Sequence, residues 1–143
     1  MRKALILVVP LLAAGLDMVG FSSVGSLAAA GPDALAGLLW KARPLVVVAD
    51  QPTDPRFQKQ IAGLEGRGRA LEDYDIKLIA VTGESAALRR KLRLPAAGFA
   101  VALVGKDGGV KEAWRNPVDP DRIFALIDTM PMRRDEVRRR ASH

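Results

Sequence analysis

The sequence predicts a single α/β domain, a central mixed sheet of about four strands with flanking helices in the order β-α-β-α-β-β-α. Three observations predict it. Leu45-Val46-Val47-Val48-Ala49 is a continuous apolar, β-branched run, the pattern of a strand buried on both faces. Strand-like and helix-like stretches then alternate as far as Val104. Beyond it, Lys106-Asp107-Gly108-Gly109 supplies the glycines that a tight hairpin turn requires. A chain of 143 residues suffices for one domain.

Each element has its own signal. Asp33 to Trp40 reads as a short helical lead-in, with Leu38-Leu39-Trp40 as apolar anchors. After the first strand, Asp54 can cap a helix and Pro55 can start it. That helix is expected to bury Phe57, Ile61, Leu64 and Leu71. Gly63, Gly66 and Gly68 weaken it, each by about 1 kcal/mol relative to Ala. Ile76 to Val81 reads as the second strand, Glu84 to Leu92 as a short helix, and Phe99 to Val104 as the third strand. Val110 to Trp114 is the antiparallel partner across the hairpin. Asp119-Pro120-Asp121 opens the last helix, Ile123, Leu126, Ile127 and Met130 form its apolar stripe, and Pro131 stops it. The alternation predicts a parallel core from the first three strands. The whole order is that of a thioredoxin fold.

The two ends differ in character. Arg2 and Lys3 precede an apolar run of 13 residues, Ala4 to Leu16, and small residues follow at Ala28-Ala29-Ala30. A transmembrane helix needs roughly 20 apolar residues. Residues 1–30 therefore read as an export signal, or as an uncleaved anchor interrupted by Asp17. Either way the domain, residues 31–132, is expected to be periplasmic or secreted. Residues 133–143 read as a solvated basic tail. Half of the formal charge of +6 sits there, on Arg133, Arg134, Arg138, Arg139 and Arg140 against Asp135 and Glu136.

Composition removes whole classes of chemistry. The chain has no cysteine, so thiol oxidoreductase, peroxidase, disulfide and cysteine–zinc functions are excluded. Its only histidine is His143, the last residue, which leaves no basis for a histidine triad or cluster. No cofactor and no metal are expected. Arg89-Arg90-Lys91-Arg93 reads as a solvated face. With only 5% aromatics in an exported chain, nucleic acid is not an expected partner.

Four motifs carry a resemblance: Trp40-Lys41-Ala42-Arg43-Pro44-Leu45-Val46-Val47; Asp54-Pro55-Arg56 with Gln60; Gly98-Phe99 leading into Val104-Gly105-Lys106-Asp107-Gly108-Gly109; and Ile127-Asp128-x-Met130-Pro131-Met132-Arg133. Across about residues 38–136 the chain resembles a cysteine-free, thioredoxin-like domain family of unknown function. Such domains occur in bacterial exported proteins and in animal extracellular-matrix proteins with sushi repeats or tandem copies. The resemblance implies the fold and assigns no catalytic residue. Where redox relatives of this fold carry a dithiol, this chain has Asp50 to Arg56. Where they carry a cis-proline, it has Gly98-Phe99.

The candidate binding residues are Arg43, Asp50, Asp54, Arg56 and Gln60. Arg56 and Gln60 lie one turn apart near the positive end of a helix, where an anion or sugar could dock. The competing use of Asp54 is a cap paired with Arg56 or Arg43. Asp50 and Asp54 without a Gly-centred ligand loop fall short of a calcium site. Lys106 and Asp107 read as hairpin chemistry. The functional expectation is an exported, non-redox binding or adaptor module, whose partner is an unknown protein or an anionic or glycan ligand at the cell envelope. One alternative is an enzyme using carboxylates at the Asp50–Gln60 helix N-terminus, which needs a carboxyl of raised pKa. The other is a surface-associated basic protein whose tail makes peripheral contact with anionic lipid or polymer.

Overall fold

The computed structural model describes residues 4–6 and 31–142. In chain order the elements are β1 (Ala4–Ile6), a 3₁₀ helix (Gly31–Leu38), β2 (Arg43–Ala49), α1 (Pro55–Glu65), α2 (Gly68–Asp73), β3 (Ile76–Gly83), α3 (Ala86–Lys91), β4 (Ala100–Val104), β5 (Val110–Trp114), α4 (Pro120–Asp128) and α5 (Pro131–Ala141). Apart from β1, the proposed export segment lies outside the described residues, as does His143. Among the described residues no helix is long and apolar enough to cross a membrane.

The sheet order is β1-β3-β2-β4-β5. Its body is the expected four-stranded mixed sheet, β2 to β5, and β1 adds a short antiparallel edge along Val81–Gly83. β2 and β3 are parallel, whereas β4 runs antiparallel to β2. This corrects the expectation of three parallel strands. α3 has six residues, about 9 Å at 1.5 Å per residue, well short of the roughly 23 Å of the seven-residue β2. The helix itself does not carry the chain back along the sheet, as the helix of a parallel crossover does. The chain therefore stays at the end where β3 finishes and re-enters from there, with Ala100 opposite Val48.

β2 is buried along its whole length, as its apolar run predicts. The period-2 alternation divides its side chains between two cores. Leu45, Val47 and Ala49 join Phe57, Leu64, Ile123 and Ile127 under α1, α2 and α4. Val46 and Val48 join Leu35, Leu88 and Leu92 under the 3₁₀ helix and α3.

Three further differences are local. The long helix expected through Leu71 is two helices, broken at Gly66-Arg67 within the glycine-rich stretch. Leu39 and Trp40 are exposed rather than buried anchors. Pro131 does stop α4, and it also starts α5, since proline at the first helical position loses no internal hydrogen bond. Residues 133–141 thus continue as helix α5, in which Arg133 and Glu136 are buried while Arg134 and Arg138 to Arg140 are exposed, as expected of a solvated end.

Candidate functional site

The predicted site divides into two separate places. Asp50 follows the last residue of β2. Its Oδ2 accepts the Gly98 N–H at 2.9 Å, and its Oδ1 stands 3.4 Å from the Arg89 guanidinium. Arg89 is only 2% exposed, which corrects the reading of a solvated basic face at this position. Its Nε donates to Ser85 Oγ at 3.0 Å, Nη1 to the Pro95 carbonyl at 2.8 Å and Nη2 to the Gly98 carbonyl at 2.9 Å. Burial pulls the guanidinium below its ordinary value, and the Asp50 charge works against that pull. The loop that stands where redox relatives carry their proline is thus bolted to the end of β2 by backbone contacts to one buried arginine. Gly98 fits there because its φ is +91°, a region that side chains disfavour.

Asp54 is a helix cap. Its Oδ1 accepts the Arg56 N–H at 2.9 Å, and the Arg56 guanidinium folds back onto both carboxylate oxygens at 3.2 and 3.3 Å. The Arg56 side-chain hydrogen bond holds Asp54 below the ordinary carboxylate value. Arg56 also lies over Phe99, 5.6 Å from the ring centroid. Gln60 is 2% exposed and does not share an open face with Arg56. Its amide donates to the Val118 carbonyl at 2.9 Å and accepts the Val118 N–H at 2.7 Å, pinning the loop before α4 to α1. Anion docking through Arg56 and Gln60 together is therefore corrected: burial and internal bonds occupy Gln60, and Asp54 occupies Arg56.

Arg43 belongs elsewhere. It opens β2, about 23 Å of strand away from Asp50. Only 1% exposed, it donates to the Tyr74 carbonyl at 2.7 Å and to both Glu136 carboxylate oxygens at 3.2 and 3.4 Å. Lys106 reaches the same Glu136 at 2.6 Å and Asp75 at 2.8 Å, so it is more than a hairpin residue. Arg133 bonds the Asp73 carbonyl and carboxylate at 3.0 and 3.2 Å, and its guanidinium stacks 4.1 Å above the Tyr74 ring. Arg140 adds a second bond to the Asp73 carboxylate at 2.9 Å. Burial alone would raise Glu136, but hydrogen bonds from Lys106 and Arg43 outweigh it and hold the carboxyl below its ordinary 4.5. This cluster clasps α5 to the end of the domain.

Sequence reasoning missed Arg89, Arg133 and Glu136 as buried groups and Lys106 as a half-buried one. A faint signal exists for Arg89, since Ser85 stands four residues before it, one helical turn away. Glu136 offers only its position as a carboxylate within an arginine run.

A third place was expected to be buried and is not. Trp40 is 65% exposed and has φ +65°, which for a bulky side chain costs about 1–2 kcal/mol. The conformation is held by the Trp40 N–H donating to the Lys106 carbonyl at 2.7 Å. Leu39 is 38% exposed and rests on the hairpin, its Cδ2 only 2.9 Å from where a Cβ on Gly108 would stand. Beside Leu39 opens a cavity of about 140 Å³, walled by Leu35, Leu38, Leu39, Pro44 and Leu92, with Lys91 on its lining.

The chain is 44% identical over 50 residues to the sushi repeat-containing protein SRPX of Rattus norvegicus, covering 35% of this chain and 11% of that protein. It is 29% identical over 118 residues to SRPX2 of the same species, covering 71% of this chain and 25% of that protein. The chain thus spans a quarter or less of the curated relatives it matches. Among solved structures, the reduced 2-Cys peroxiredoxin of Plasmodium vivax superposes with a TM-score of 0.55 at 12% identity, over 66% of this chain and 80% of that one. At that identity the likeness speaks for the fold alone, and the fold is thioredoxin-like. Residues 34–136 match the family described as Domain of unknown function (DUF4174), and the chain belongs to that family.

Proposed function

We propose that this domain is an exported, non-redox binding or adaptor module. One observation carries the reading. At the strand end where this fold does its chemistry, the chain has no sulfur, and Asp50, Asp54, Arg56 and Gln60 all make bonds within the domain. Trp40, by contrast, stands outward in a conformation that disfavours it. The carboxylate-enzyme alternative needs a raised carboxyl pKa, and Asp54 is shifted the other way. The tail alternative loses ground because Arg133, Arg138 and Arg140 pair with carboxylates. Export is supported by the ordered signal pattern before Gly31 and by the sushi-repeat relatives.

In-cell photocrosslinking from Leu39 and from Gln58, with partners identified by mass spectrometry, tests the reading. A recurrent partner from one of these positions is expected, on chains beginning near Ala29 or Gly31. Turnover in a reductase and hydrolase panel that Asp50→Asn abolishes would overturn it.

A further inference from the structure

We propose that the face formed by Trp40, Leu39 and the cavity beside Leu39 binds an acidic peptide segment of a partner protein, anchored by one apolar side chain. This deepens the binding-module reading and rests on it. The size of the cavity sets the class of anchor. About 140 Å³ is well below the roughly 300–1,000 Å³ of a small-molecule or cofactor site. It suits a single aliphatic or aromatic side chain, the usual anchor of a peptide interface. Leu39 is part of the lining and is itself exposed, and the exposed Trp40 follows it directly in the chain, so the two can extend the apolar contact beyond the cavity.

Charge sets the sign of the partner. Among the described residues no carboxylate lines the cavity, while Lys91 does. Arg90 and Arg93 adjoin the lining residues Lys91 and Leu92, and Lys41 adjoins Ala42. Among the described residues none of these four cations makes an ion pair, whereas Arg43, Arg56, Arg89, Lys106, Arg133 and Arg140 all do. Asp107, the nearest carboxylate in the hairpin, is bonded to Lys111 and the Gly109 N–H. Lys91, on the lining itself, is therefore available to a carboxylate from outside. An anionic membrane would meet the same charges, but it has no single anchor matched to so small a cavity.

Strain gives an independent argument. Glycine adopts the Trp40 backbone conformation freely, and tryptophan does not. An exposed tryptophan kept there destabilises the free domain, which accords with a role in contact.

The test uses the full chain and short fluorescent peptides whose central residue is Leu, Phe or Ser, flanked by acidic, neutral or basic residues. Acidic peptides centred on Leu or Phe are expected to bind, at least tenfold more tightly than the Ser-centred or basic ones. Lys91→Glu should weaken binding several-fold. Trp40→Gly should abolish it while raising the melting temperature, a combination that loss of folding cannot produce. Equal binding of acidic and basic peptides overturns the proposal. So does Trp40→Gly binding as well as the parent chain, or preferential binding to phosphatidylserine vesicles over every peptide. If crosslinks map a partner to the Gln58 side, this proposal fails while the binding-module reading stands. If turnover dependent on Asp50 is found, that broader reading fails first.

Discussion

At the residue scale, the same residue type does opposite work according to what surrounds it. Arg89 and Arg90 are neighbours in α3, yet one is sealed inside and the other is solvated. Arg89→Ala strands the Ser85 hydroxyl, two backbone carbonyls and Asp50 at once. It should cost about 2–4 kcal/mol in urea denaturation. Asp50→Asn should cost under about 1 kcal/mol, since the carboxylate is half exposed and an amide oxygen can still accept the Gly98 N–H. If the two variants are equally destabilised, Arg89 is not the bolt of this loop. None of this was legible in the sequence, where Arg89 sits in a basic run. The Asp54 cap was legible, because its partners are the next few residues of the same chain.

At the scale of elements, caps and glycines did most of the specifying. Asp119 caps α4 through the Asp121 N–H at 2.9 Å, as its sequence announces. Gly63 lies inside α1 with nothing within 4 Å of a Cβ built there. Gly63→Ala should therefore stabilise the domain by about 0.5–1 kcal/mol, read as a shift in denaturation midpoint without a change in slope. α5 is the element that the sequence misrepresented. Its arginines look like a solvated end until Glu136 is seen between Arg43 and Lys106. Because the folded Glu136 pKa lies below its unfolded value, its contribution is fully present above about pH 4.5 and fades as pH falls through the folded value. Glu136→Gln should cost roughly 3 kcal/mol at neutral pH, and the gap from the parent chain should close on acidification. A gap that stays constant with pH would exclude this ion cluster as its source.

At the scale of the whole molecule, β1 pairs along the outer edge of β3, and the described core residues come mainly from β2, β3, β4 and the helices packed on them. A chain of residues 31–143 should therefore keep cooperative unfolding and lose at most about 2 kcal/mol. Binding of a hydrophobic dye with loss of near-ultraviolet circular dichroism would show instead that the N-terminal strand is required. The sequence by itself determined the absence of thiol chemistry, the strand and helix order, the hairpin, the caps and the thioredoxin-like class. These follow from composition and from interactions between residues close along the chain. The antiparallel entry of β4, the burial of Arg89 beside Asp50, the separation of Arg43 from Asp50 and the outward turn of Trp40 were decided only by the tertiary structure. Each depends on contacts between residues distant along the chain, such as the Trp40 N–H with the Lys106 carbonyl. The missing cysteines remain the firmest statement about what this domain does not do, and the face around Trp40 is the place to ask what it does.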